Sequence, residues 1–255
     1  VKLRHLPLRL VDTPRKLLIM VKGKFLKIDS FELTAGRMIG RKYRILSQLG
    51  SGWEGEVYKV LELATGIERA AKLFYPQRNL HDKASKLYAK RLHNLQNCSL
   101  LIQYHTQEIL IVRRTPITVL ISEYVEGVLL SEFLKVFPGN RMDPFKALHL
   151  LYALIKGIEE IHSAKDYHGD LHTDNIIVNR FGLEFDLKVV DLYHLSASKH
   201  ENRREDLCGL IQVFHEVLGG AKYYSKHPSI VKEICCGLKR SLILKKFRTV
   251  TQLRQ

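Results

Sequence analysis

The sequence predicts an α+β fold in two lobes: an antiparallel five-stranded sheet, then a reduced, mainly helical lobe, with a cleft at their joint. Three observations predict it. From Tyr43 to Glu123, short runs rich in β-branched and aromatic residues are separated by Gly-Ser-Gly, Ala-Thr-Gly and Arg-Thr-Pro punctuation. After Gly127 the apolar residues recur at helical spacing instead. Between a helical stretch and an apolar run lies a polar loop, 167–178, that gathers His168, Asp170, His172, Asp174 and Asn175.

Taken in order, residues 1–40 read as an N-terminal extension, with 16–21 a candidate strand and Gly23 a turn. The first lobe spans 41–125. Its strands are expected at 43–49, 56–63, 68–74, 108–113 and 117–123. A polar helix over 82–96 interrupts them, with Leu87, Leu92 and Leu95 on one side. The second lobe spans 126–255. Asp143-Pro144 starts its long helix, an N-cap carboxylate followed by proline at the first helical position. Leu148, Leu151, Leu154, Ile155, Ile158 and Ile161 then keep a helical period. After the polar loop come a hairpin (176–179 with 187–190) and a helix over 205–218, which Gly219-Gly220 would end.

Composition narrows the function classes. With 45% hydrophobic residues the chain can build a core, and no apolar run approaches the roughly 18 residues that span a bilayer. The basic start lacks the unbroken apolar centre of a secretory signal. It opens on Val1, which leaves room for an upstream segment. The four cysteines, Cys98, Cys208, Cys235 and Cys236, form no C-x-x-C pair. Neither a zinc site nor a disulfide framework is expected, and a reducing cytoplasm suits them. The net charge of +15 admits nucleic acid, an anionic surface or an acidic substrate as partner. The alternative is a solvated surface of Lys and Arg, since no dense basic run is interleaved with aromatics.

Four elements carry chemistry. Gly50, Ser51, Gly52, Gly55 and Val57 form a G-x-G-x-x-G-x-V segment between two strands. Missing Cβ atoms let backbone N–H groups approach phosphates. A dinucleotide site would want a helix next, and a strand follows instead. Lys72 sits inside the apolar strand Ala70–Phe74, where it either reaches water from an edge or faces phosphates under the glycine loop. At the joint, the backbone of Glu123 and Val125 could meet an adenine edge and Glu126 a ribose hydroxyl; taken alone the segment is only a strand end. In the polar loop Asp170 is a candidate base for an attacking hydroxyl. Asn175 and Asp191 offer oxygens to Mg²⁺. A transition-metal hydrolase built on His168, Asp170, His172 and Asp174 would leave the glycine loop and Lys72 unexplained.

In this order, over about 41–220, these elements resemble the protein kinase superfamily. The resemblance implies a two-lobed kinase-like fold and transfer of phosphate from ATP with Mg²⁺. In it Lys72 would hold the nucleotide phosphates, Asp170 would be the catalytic base, and Asn175 and Asp191 the metal ligands. Asp206 would brace the catalytic loop. The chain also departs from that pattern. His168-Gly169-Asp170 replaces H-R-D, His172 stands where many protein kinases have lysine, and Asp191-Leu192-Tyr193 replaces D-F-G. A-P-E is missing, and the segment after Asp191 is a stub. The H-G-D-L-H-x-x-N loop is closer to small-molecule and atypical kinases. No glutamate lies between Glu68 and Glu108, so the usual helix partner of Lys72 is absent and Tyr88 is near its place. Another acid must pair Lys72, Asp191 being a candidate, or the lysine is held differently. The expectation is a small atypical serine/threonine protein kinase. The alternatives are a pseudokinase or nucleotide-binding scaffold, and a kinase of a small-molecule, sugar or lipid hydroxyl.

Overall fold

Residues 27–181, 185–193 and 197–255 are described by a computed structural model. The candidate strand at 16–21 and the turn at Gly23 lie outside these residues. The first lobe is an antiparallel sheet in the order β1-β2-β3-β4-β6-β5. Its strands are β1 (Met38–Ile39), β2 (Tyr43–Ser51), β3 (Gly55–Glu62), β4 (Glu68–Phe74), β5 (Tyr104–Val112) and β6 (Thr115–Glu123). The five expected strands are all present. The sixth, β1, is a two-residue edge strand paired with Tyr43 and Arg44, too short to leave a period in the sequence. Strand β5 starts four residues before the expected 108, because Tyr104 and Thr106 pair with Ser122 and Ile121 across a bulge.

Helix α1 (Lys83–Asn94) packs Tyr88 and Leu92 inward, with Leu95 just beyond its end, and places Arg91 on the same buried side. The core of this lobe takes in Tyr58, Val60, Ala71, Leu73 and Val119. It also takes in Ile28, Phe31, Leu33 and Ile39, so residues 28–39 lie against the sheet. Ile28 is fixed by a two-way amide pair: its N–H donates to Gln77 Oε1 (3.2 Å) and Gln77 Nε2 donates to its carbonyl (2.7 Å).

After the short helix α2 (Leu130–Leu134), the second lobe is built on α3 (Pro144–Ser163), capped by the Asp143 side chain, which accepts from Lys146 N–H. Its buried stripe includes Leu150, Leu151, Leu154, Ile155, Ile158 and Ile161. The stripe packs against α4 (Lys199–Val217). Helix α4 starts six residues before the expected 205, because Ser198 caps it by accepting from Glu201 N–H. Ser198-Lys199-His200-Glu201 carries the S-x-x-E signature of a helix start. Short helices α5 (Ala221–Tyr224), α6 (Ser229–Cys235), α7 (Arg240–Lys246) and α8 (Val250–Arg254) complete the lobe. A small sheet in the order β7-β8-β9, made of β7 (Val128–Leu129), β8 (Ile176–Phe181) and β9 (Phe185–Val189), lies at the cleft. The backbone of Val189 donates to Leu100 O at 2.8 Å, which ties this sheet to the segment entering β5.

Candidate active site

A cavity of about 790 Å³ opens between the lobes. Gly50, Ser51, Gly52, Gly55, Val57, Lys72, Glu123, Val125, Asp170, Asn175 and Asp191 all line it. Residues up to 141 positions apart in the chain thus share one wall-to-wall space. Strands β2 and β3 with the loop between them form its roof. Ala70 and Lys72 of β4 and Leu120 and Ser122 of β6 form its back, and the polar loop its floor.

Lys72 is not an edge lysine reaching water: its side chain is 12% exposed. Its Nζ lies 2.7 Å from Asp191 Oδ1 and 3.0 Å from Glu54 Oε2. The ring of Tyr88 faces the same nitrogen, 4.6 Å from its centroid. Burial works against the charged amine, but Asp191, Tyr88 and Glu54 outweigh it, so the Lys72 pKa is raised and the ammonium is kept. Burial pushes the Tyr88 phenol up to about 12, so Tyr88 faces Lys72 as a neutral ring.

The floor is held from below by Asp206, 1% exposed, inside α4. Its Oδ2 accepts from His168 N–H (2.8 Å) and its Oδ1 from Gly169 N–H (2.7 Å). His162, at the end of α3, meets the same carboxylate at 2.9 Å. His168 is fully buried; its Nε2 donates to Val190 O (2.9 Å), and its Nδ1 accepts from Asp170 N–H (3.2 Å). One neutral tautomer satisfies both bonds. Burial lowers the His168 pKa further than Asp206 raises it, which keeps that neutral form. Gly169 has φ +92°, and a Cβ there would stand 2.8 Å from Tyr193 O. The close pass of Tyr193 over this position is therefore incompatible with the side chain of an H-R-D arginine.

Asn175 Nδ2 donates to Asp170 O at 2.9 Å and lies 3.4 Å from Asp170 Oδ2. That commits the nitrogen and leaves Oδ1 to a cation. Val190 N–H donates to Asn175 O at 3.0 Å, which sets Asp191 beside the loop. Asp191 has φ +59°, uncommon for a residue with a Cβ, and keeps a 43% exposed carboxylate toward the cleft. One amide oxygen and one carboxylate are hard donors that suit a divalent cation such as Mg²⁺, which would take its other ligands from water and substrate. His172 Nδ1 accepts from Asp174 N–H (3.2 Å), and its Nε2 is 3.6 Å from Asp170 Oδ2.

At the joint, Glu123 N–H donates to Gln103 O (2.8 Å) and its carboxylate takes Gln103 N–H (3.0 Å) and Lys188 Nζ (3.3 Å). The side chain and the backbone N–H are thus both engaged away from a ligand. Trp53 lines the cavity at the loop tip while 60% exposed, with the Arg78 guanidinium 3.9 Å from its ring.

Two contributions escape sequence reading. Glu54, an unmarked position of the glycine segment, reaches Lys72. Arg91 of α1 binds Asp166 (3.1 Å) and Tyr193 O (2.8 Å), and also donates to Tyr167 O. The Arg91–Asp166 separation of 75 residues leaves no local signal.

The family profile described as "Protein kinase domain" matches residues 43–230. The chain is 27% identical over 186 residues to the mitogen-activated protein kinase KSS1 of Saccharomyces cerevisiae, covering 68% of this chain and 47% of that protein. It is 31% identical over 142 residues to the serine/threonine-protein kinase pkn2 of Myxococcus xanthus, covering 54% of this chain and 16% of that one. The chain thus spans less than half the length of these relatives. Among solved structures, the Mycobacterium tuberculosis PknI kinase domain superposes with a TM-score of 0.63 at 14% identity, covering 87% of this chain and 97% of that one. At that identity the likeness is one of fold.

Proposed function

The chain belongs to the protein kinase domain family, and on that premise we propose that it is a small atypical serine/threonine protein kinase that uses ATP and Mg²⁺. The observation that carries this reading is the 2.7 Å contact of Lys72 with Asp191 across a cleft that also holds Asp170 and Asn175. Lys72 comes from the sheet lobe and Asp191 from the helical lobe. An anionic, metal-bound phosphate chain is the ligand whose charges match both.

In this reading Lys72 and backbone N–H groups within 50–55, other than that of Gly52, which donates to Gly55 O at 2.9 Å, bind the phosphates, and the backbone at Glu123 and Val125 receives the adenine. Asn175 Oδ1 and Asp191 hold Mg²⁺, which when bound neutralises charge on the phosphate oxygens. Asp170 is half-exposed on the cavity floor and takes the proton of the incoming hydroxyl. Its place is set by His168 through its N–H and by Asn175 through its carbonyl. Positioning and charge stabilisation supply most of the acceleration. The absence of an apolar helix long enough to cross a membrane, among the described residues, is compatible with work in the cytoplasm.

One observation favours a second acceptor class. Only residues 192–198 separate Asp191 from α4, so little chain is left to cradle a peptide. A small-molecule, sugar or lipid hydroxyl is the alternative acceptor. The test is a panel of proteins and small hydroxyl compounds incubated with labelled ATP. Mg²⁺-dependent label on serine or threonine is expected. Label on a small hydroxyl would move the acceptor, and label on none, with Mg-ATP still bound, would favour a nucleotide-binding scaffold.

A further inference from the structure

Lys72 needs a carboxylate that stays with it while Asp191 serves a metal, and α1 offers none: residues 83–94 contain no acid. The face of α1 turned to Lys72 presents the Tyr88 ring. The carboxylate within reach is Glu54, 3.0 Å away, from the glycine segment itself.

The backbone that carries Glu54 is held on both sides. Its carbonyl accepts from Tyr75 N–H at 2.9 Å. The next residue, Gly55, lies flush on β4: a Cβ there would fall 1.8 Å from Leu73 O, so only glycine allows this approach. Glu56 follows, 1% exposed, and accepts from Phe31 N–H (3.0 Å), Tyr75 O–H (3.1 Å) and Tyr58 O–H. On the other side Trp53 is stacked under Arg78. A backbone anchored this way sets the point from which the Glu54 carboxylate reaches Lys72.

We propose that Glu54 is the positioning residue for Lys72, a carboxylate fixed in the glycine segment that aims the ammonium at the nucleotide phosphates. The proposal rests on the phosphotransferase reading. Asp191 is called on twice, by Lys72 and by the metal; Glu54 is called on once. Glycine-segment position and lysine orientation thereby become one variable, and residues 28–33 enter it from behind through Phe31 and Glu56.

The test is Glu54→Gln, with Glu54→Asp and the double variant Glu54→Gln/Tyr88→Glu. Glu54→Gln should lower kcat about 10²-fold with little change in KM for ATP and in Tm. Glu54→Asp should recover part of the loss. The double variant, which returns an acid to Lys72 from α1, should recover about tenfold. A kcat within about twofold of wild type, or tighter ATP binding by Glu54→Gln, would overturn the proposal. A second readout does not depend on turnover. The slowly exchanging ammonium hydrogens of Lys72, followed by ¹⁵N NMR, should vanish in Glu54→Gln and persist in the control Glu132→Gln. Persistence in Glu54→Gln overturns the proposal even if wild type transfers no phosphate, a result that by itself sinks only the phosphotransferase reading.

Discussion

His168 shows how one residue links the loop to stability. It is uncharged and fully buried, with both ring nitrogens committed and its pKa lowered by burial. Below the unfolded value of about 6.5 the unfolded chain binds a proton that the folded chain refuses, so stability falls as pH falls. Burial lowers His105 and His215 in the same direction. The urea midpoint should therefore drop between about pH 7.5 and pH 5.5. A midpoint that holds or rises would show that these histidines protonate without cost in the fold. At this scale the sequence is most legible where residue type and spacing jointly encode chemistry. The spacing Asp170-x₄-Asn175 was readable because both residues sit on one short loop. Glu54 was not, because its partner lies on another strand and its own neighbours give it no distinguishing pattern.

Among the elements, α1 packs on its own sheet and also reaches the other lobe. Arg91 reaches the second lobe with a buried fork: Asp166 on one side, the carbonyls of Tyr167 and Tyr193 on the other. The Tyr193 backbone is held twice, since its N–H also donates to His168 O at 3.0 Å. The segment after Asp191, which lacks the glycine of D-F-G, is thus pinned here. Replacing Arg91 with Met leaves Asp166, 11% exposed at its side chain, without its ion-pair partner. Breaking a pair this buried costs about 3–5 kcal/mol, to be read from urea unfolding. A loss below about 1 kcal/mol would place the pair with exposed salt bridges instead. Strands and long helices were legible because turn residues punctuate the former and an N-cap with Pro144 opens α3. Helix α4 began early because Ser198 and Glu201 form a cap that its polar first turn, with no apolar period, hides from a periodicity reading. Strand β1 and the docking of 28–33 depend on a sheet surface that exists only after folding.

At the scale of the molecule, three ion pairs span the lobes among the described residues, one of them Lys188–Glu123 at the joint. Lys72–Asp191 crosses the cleft and Arg91–Asp166 closes it behind α1. A nucleotide in the cavity would touch both lobes and the folded state alone. Mg-ATP at about 100 times its Kd should then add about 2.7 kcal/mol and raise Tm by about 5–10 °C. Thermal unfolding with and without Mg-ATP checks this, and an unchanged Tm would mean that the cavity does not hold it. The proposed role of Asp170 as base in phosphate transfer from ATP is checked by the rate of that transfer in wild type and in Asp170→Asn. Wild type should transfer label with Mg²⁺, and Asp170→Asn should lose about 10²–10⁴-fold in kcat while binding Mg-ATP as before. Equal rates in the two proteins, or no transfer by wild type to any acceptor, would contradict it.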